Sequence, residues 1–353
     1  MLRFILRKIF YGLLVLAGII VVVFFLFMAL PGDPAKITLG DRAGDASYSA
    51  LNKELGLDQS KLTQLKLYLN DVSPFSLHDN TKENSEKYHY VKIFSVGGKS
   101  FVLKFPYLRR SYIDQKSVSG KLLTVLPNTL VLAFAAILIS VFFGILFGIF
   151  AALKHHTWMD NSVLFLTVLG ISVPSFFSAI LFQWFFAYVI GNFTGLPMFG
   201  SLYEMNNSGE DVLVLSNLIL PAIALGIRPI AIITQLTRSS MLDVMNADYV
   251  RTAKAKGLSP QKIIFKHTLR NALNPVLTAV SGWFAEMLAG AFFIEMIFGW
   301  NGIGKLTVDA LNKNDFPVVM GSVLFTATIF VVLNIFTDVM YGVLDPRMRK
   351  MKN

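Results

Sequence analysis

Four ionisable residues stand inside otherwise apolar runs: Arg228, Glu286, Glu295 and Asp338. A charged group surrounded by hydrocarbon is costly unless it faces a partner or a water-filled path, so these positions are the first places to look for chemistry. Arg228 precedes Pro229, whose ring leaves a backbone carbonyl without its helical donor. A guanidinium there can meet a carboxylate, either on a ligand or on Glu286, or it can form a structural ion pair between helices. Glu295 lies close to Gly299, Gly302 and Gly304, which makes it a candidate for gating or for contact with another subunit. Pro174, flanked by Ser172, Ser175 and Ser178, marks an expected kink that either lines a path or packs against neighbours.

Patterns for covalent, hydrolytic or metal chemistry are missing. Gly98-Lys99-Ser100 ends like a phosphate-binding loop, but Ile93 occupies the position that needs the first glycine, and a β-turn is the better reading. There is no HExxH and no nucleophile elbow, and the absence of cysteine excludes disulfides and thiolate-bound metals. His155-His156 reads as a solvated turn. No catalytic residue and no metal ligand is expected.

The elements that position these residues are membrane spans. Of 353 residues 54% are hydrophobic and only 15% charged, well below the roughly 25% of a soluble domain. The net charge of +10 sits beside apolar runs without interleaved aromatics, which serves topology and not nucleic-acid binding. A helix of about 20 apolar residues spans a bilayer. Six runs qualify: Ile9 to Leu30, Leu122 to Leu153, Ser162 to Ile190, Leu213 to Leu236, Pro275 to Phe298 and Val318 to Leu344. The first is longer than a signal-peptide core and has no small-residue cleavage site after it, so a retained anchor is expected. The fold class is therefore an all-α integral membrane protein with six transmembrane helices.

Lys and Arg in the short loops put both termini in the cytoplasm. The expected divisions are a tail and first helix (1–30), an extracytoplasmic segment (31–121), a core with helices two to six (122–344) and a cytoplasmic tail (345–353). Within 31–121, helices are expected over Ser49 to Leu55 and Gln59 to Leu69, a polar mobile connector over Asn70 to Lys87, and a hairpin over Tyr88 to Phe105 that turns at Gly97-Gly98. The result is a small α/β insertion after the first span.

The inside loop 238–274 carries the densest local signals. Asp248 is expected to cap a helix running through Lys256, Gly257 to stop it in a left-handed conformation, and Ser259-Pro260 to start a second helix. That second helix is expected to end at Asn274-Pro275. It mixes Ile263, Ile264, Leu269 and Leu273 with Lys262, Lys266, His267 and Arg270. Both an apolar and a basic surface are thus on offer, to a docked protein or to anionic headgroups.

Arg251-Thr-Ala-Lys-Ala-Lys-Gly257-Leu-Ser followed by His267-Thr-Leu-Arg-Asn-Ala-Leu-Asn-Pro275 resembles the coupling loop of binding-protein-dependent ABC permeases, in the dipeptide, oligopeptide and nickel branch. Further segments similar to that branch occur in the right order: Leu30-Pro-Gly-Asp-Pro34, Glu54-Leu-Gly-Leu-Asp58, Leu126-Pro-Asn-Thr129, Leu236-Thr-Arg-Ser-Ser-Met-Leu242, Ile294-Glu-Met-Ile-Phe298, Gly302-Ile-Gly304, Asp315-Phe-Pro317 and Leu344-Asp-Pro-Arg347. The resemblance implies a type I importer bundle in a bacterial inner membrane. It also implies a second homologous permease subunit, two ABC ATPase subunits that bind the ATP and Mg, an extracytoplasmic solute-binding protein, and a peptide substrate. It gives a coupling role to Asp248, Tyr249, Arg251, Ala253, Ala255, Gly257, Leu258 and Ser259.

Three departures stand out. Arg251-Thr252-Ala253 replaces the Glu-Ala-Ala of the broader superfamily, Arg270 stands where that pattern has proline, and Asp71 to Phe105 is long for the branch. Nickel import by the same branch is the near alternative. Ion-gradient-driven secondary transport is the distant one, but no repeat between the halves supports it.

Overall fold

The computed structural model describes residues 2–29, 58–79 and 81–344, and the chain is mostly helical. Among the described residues four helices are long and apolar enough to cross a membrane: Arg3–Leu26, Val118–Leu153, Ser216–Met245 and Phe316–Val339. Two bent pairs, Trp158–Ser172 with Ser175–Val189 and Pro260–Leu288 with Phe292–Phe298, raise the number to six if each pair is one span. The kink expected at Pro174 is a complete break, with Val173 and Pro174 in extended conformation and the two segments 108° apart. Proline bars the residue before it from the helical region, which ends the first segment at Ser172. The expected helix Ser49 to Leu55 and the motifs Leu30-Pro-Gly-Asp-Pro34 and Leu344-Asp-Pro-Arg347 lie wholly or largely outside the described residues.

The chain divides into two compact units, one built around Leu126–Lys305, the other from the described part of Arg7–Val125 with Leu306–Thr328. In the first unit the core joins Leu132, Ala133 and Ala136 to Leu220, Ala222 and Ala224, and continues to Ile294, Phe298 and Trp300. Small residues set the spacing. A Cβ on Gly144 would lie 2.6 Å from the Ile233 side chain, and one on Gly148 2.5 Å from that of Thr237. The Gly144-to-Gly148 pattern, common by chance, here lets Val118–Leu153 approach Ser216–Met245 backbone to backbone.

In the second unit Tyr68 of helix Lys61–Val72 packs between Phe24 of the first span and Leu324. Ser60 caps that helix by accepting the Thr63 N–H at 3.3 Å. Three strands follow, β1 (Phe75–Asp79), β2 (Val91–Val96) and β3 (Lys99–Leu103), in the antiparallel order β1-β3-β2. The expected hairpin is present, with Gly97 and Gly98 at φ +58° and +83°. The expected mobile connector is not: residues 70–87 hold the end of one helix, all of β1 and most of helix Lys82–Tyr88.

The reason is an inverted pattern. In β1 the polar Ser76 and His78 are buried while Phe75 and Leu77 are exposed. The buried side is organised by Asp71, whose carboxylate accepts the Tyr88 hydroxyl at 2.8 Å and Arg109 Nε at 3.1 Å. Its carbonyl accepts Lys104 Nζ at 2.9 Å and the Tyr107 N–H at 2.9 Å. The Lys104 ammonium also lies 4.1 Å from the Tyr88 ring centroid. On the other side Phe101 stacks with Phe75 and Phe94, beside exposed Leu77, Val91 and Leu103.

Burial pulls Lys104 down to about 8, against the attraction of Asp71 and with repulsion from Lys87. The same cause pushes the Tyr88 phenol above its ordinary range. A lysine whose folded pKa lies below its unfolded one leaves the unfolded chain holding more protons between the two values, so stability rises with pH there. Hydrogen-exchange protection of residues 71–107, corrected for intrinsic rate, is expected to increase from pH 7 to pH 9.5. Past pH 10 it falls, because the tyrosines ionise more readily unfolded. A flat profile over pH 7 to 9.5 would count against the buried lysine.

Candidate functional site

Helix Asp248–Ala255 begins from Ala247, which holds the N-cap conformation (φ −69°, ψ 147°), so the cap expected of Asp248 is one residue too late. Asp248 enters the first turn instead, almost fully exposed and 3.8 Å from Arg251 Nη1, where its charge still favours the helix N-terminus. The stop is as the sequence indicates. Gly257 sits at φ +72°, its N–H bonds to the Lys254 carbonyl at 3.0 Å, and the Leu258 N–H bonds to the Ala253 carbonyl at 3.3 Å. These paired bonds form a Schellman motif, and Leu258 packs against the cluster of Val250, Ala253 and Ile263.

Pro260 then opens a new helix at its first position. A π-helical segment, Ile263–Leu269, follows and passes directly into helix Arg270–Gly290. The expected end at Asn274-Pro275 is therefore corrected: Pro275 lies inside the helix. Membrane helices tolerate proline because neighbouring groups and local adjustments satisfy the freed carbonyl. The consequence is mechanical, since the second arm of the bend and helix Arg270–Gly290 are one continuous helix.

Val250, Ala253 and Ile263 are buried beneath the bend, with Leu258 and Val244 packed on them. Asp248, Tyr249, Arg251, Ala255, Gly257 and Ser259 are exposed, as are Lys254, Lys256, Lys262, Phe265 and Lys266. The expected residues thus separate into an outward set and an inward pair, Ala253 and Leu258. The Tyr249 hydroxyl accepts Asn271 Nδ2 at 2.9 Å and ties the two arms together. Between the arms an apolar groove of about 350 Å³ is lined by Leu153, Met245, Val250, Leu258 and Ile264, with Lys254 at its edge.

The helix that feeds this element is pinned by a pair that sequence reasoning missed. Arg238 bonds Asp160 through both Nε (2.5 Å) and Nη2 (2.7 Å), and the His156 N–H adds a third bond to the same carboxylate at 3.2 Å. Arg238 stands in a segment already noted, Leu236 to Leu242, but its partner is 78 positions away, beyond any local pattern. Asp160→Asn is expected to lower stability by roughly 3–5 kcal/mol, since breaking one side of a buried pair strands the other charge. A thermal melt in detergent checks it, and Asp160→Leu with Arg238→Met should recover most of the loss.

Glu295 is fully buried, and it accepts Thr129 Oγ1 at 2.8 Å, the Gly304 N–H at 2.7 Å and the Lys305 N–H at 3.2 Å. Thr129 in turn accepts the Ile303 N–H at 2.9 Å. Asn128 completes the arrangement by donating to the Asn301 carbonyl at 2.8 Å, while its own carbonyl accepts Trp300 Nε1 at 3.0 Å. This carboxylate fastens the glycine loop 299–304 to helix Val118–Leu153. A Cβ on Gly302 would collide with the Glu295 carboxylate and one on Gly304 with the Phe292 backbone, which explains why both positions are glycine.

Arg228 and Glu286 form no ion pair among the described residues. The Arg228 guanidinium stands 5.9 Å from the Trp283 ring centroid, its Nε is buried without a hydrogen-bond partner, and Glu286 is exposed. Pro174 marks the break described above, and Asp338 is half-buried.

Residues 144–350 match the family described as binding-protein-dependent transport system inner membrane component, and residues 1–133 match the family of its N-terminal region. A dipeptide transport system permease protein of Alkalihalophilus pseudofirmus is 32% identical over 99% of this chain and 100% of its own length. A di/tripeptide transport system permease protein of Pseudomonas aeruginosa is 34% identical over 99% of each chain. A dipeptide transport system permease protein of Haemophilus influenzae is 41% identical over 68% of this chain and 76% of its own.

Proposed function

The chain belongs to the binding-protein-dependent transport system inner membrane components, a family of transport components and not of enzymes, and from that premise we propose that it is the permease of an ABC importer for dipeptides and oligopeptides. Each bent helix pair counts as one span, giving six, with both termini and residues 238–274 in the cytoplasm and 31–121 outside. Separate ATPase subunits bind ATP and Mg, an external binding protein delivers the peptide, and a second, related permease completes the pathway. One observation carries this reading: the bent element 247–275 presents an exposed basic face around Gly257, and its second arm runs without interruption into helix Arg270–Gly290. A push received on that face reaches the membrane interior through a rod, which biases a two-state bundle.

The test is uptake of a labelled dipeptide by cells that make the complete transporter. Removing this chain should abolish ATP-dependent uptake and restoring it should recover it. The purified chain alone should not hydrolyse ATP. Uptake that persists without the chain, or that follows an ion gradient when ATP is depleted, would overturn the proposal.

A further inference from the structure

Helix Arg270–Gly290 keeps one polar face open. Asn274, Thr278, Gly282 and Glu286, spaced by four, are all exposed, and a Cβ on Gly282 would meet nothing within 4 Å. A polar stripe on an apolar span is unfavourable against lipid and suits a wet passage. Glu286 and Trp283 are neighbours on the helix surface, being three residues apart. Arg228 reaches the same place from helix Ser216–Met245, over the Trp283 ring, with a buried Nε that lacks a partner.

The cation therefore lies over the indole and the anion one helical turn along from it, with no ion pair between them among the described residues. A cation and an anion left without an ion pair inside a span are costly, and a ligand that carries both signs would satisfy each. We propose that Arg228 and Glu286 form a clamp for a zwitterionic peptide, the guanidinium taking the terminal carboxylate and the glutamate the terminal ammonium, with Trp283 as the floor. This deepens the importer reading and rests on it. The planar guanidinium can grip a carboxylate through two parallel bonds, which an ammonium cannot. Arg228→Lys should accordingly be a partial substitute only.

The experiment uses the complete transporter in cells and in proteoliposomes with its binding protein. Arg228→Gln and Glu286→Gln are each expected to lower uptake of labelled dialanine about tenfold or more, the loss of one charge-assisted hydrogen bond. Arg228→Lys should fall between Arg228→Gln and the unaltered chain. The chain has no native cysteine, so Gly282→Cys gives a single reporter. An aqueous methanethiosulfonate should label it in the resting transporter, and saturating dialanine with binding protein and a non-hydrolysable ATP analogue should slow that labelling. The protection should vanish when Arg228→Gln is added. Normal uptake by both glutamine variants, no labelling of Gly282→Cys, or protection that survives Arg228→Gln would each overturn the clamp. If the unaltered transporter fails to take up dialanine at all, the importer reading itself is what has failed.

Discussion

Gly257→Pro is expected to leave the chain inserted and folded while uptake falls to background. Gly257 holds φ +72°, a region proline cannot enter because its ring fixes φ near −65°. The substitution also deletes the N–H that bonds the Lys254 carbonyl, one of the two bonds of the helix stop. No atom lies within 4 Å of a Cβ at this position, so the change acts through the backbone and not through a clash in the core. The bend then reorients, and the outward face no longer stands at a fixed angle to the span below it. Gly257→Ala keeps the N–H and incurs only the left-handed strain of about 1–2 kcal/mol, and it should retain part of the uptake. Gly257→Asn, which tolerates this region better, should do best. Membrane insertion, ATP hydrolysis by the assembled complex and uptake are measured together. Normal uptake by the proline variant would refute the role given to the bend.

The second large effect is expected from Glu295→Ala. Removing the carboxylate strands two backbone N–H groups and the Thr129 hydroxyl in a buried place and leaves a void beside them. An unsatisfied buried donor costs about 1–3 kcal/mol, so a total of roughly 3–6 kcal/mol is expected, comparable to the whole margin of many domains. Little monodisperse protein should survive extraction into mild detergent. Glu295→Gln keeps one acceptor oxygen but turns an amide donor toward donors, and should fall in between. Gly302→Ala, which drives a methyl into the carboxylate, should resemble the alanine variant. Size-exclusion profiles and melting temperatures decide it, and an unperturbed Glu295→Ala profile would mean that the loop is held by other contacts.

The apolar runs were legible because length and freedom from charge report on lipid directly; four of them lie in long apolar helices and two in bent helix pairs. The turn at Gly257 was legible for a similar reason: only a few residue types fit a left-handed stop, and proline three positions on reinforces it. Long-range polar partners were not. Nothing near Asp160 in the chain points to Arg238, and the purpose of the glycines at 302 and 304 emerges only when Glu295 lies against them. The segment from Asn70 to Lys87 misled because its strand turns polar side chains inward, where Asp71, Lys104 and Tyr88 satisfy one another, so hydrophobic patterning gave the wrong sign. Pro275 misled for a different reason, since the rule that proline ends helices is calibrated on water-exposed backbone.

That same inward polarity has a practical outcome. A polypeptide limited to residues 58–117 would carry the rings of Phe75, Phe94 and Phe101 into buffer on one facet of its sheet. Surfaces of that kind seek other copies of themselves, so the excised piece should precipitate or form clusters on a gel-filtration column and disperse only when a surfactant is supplied.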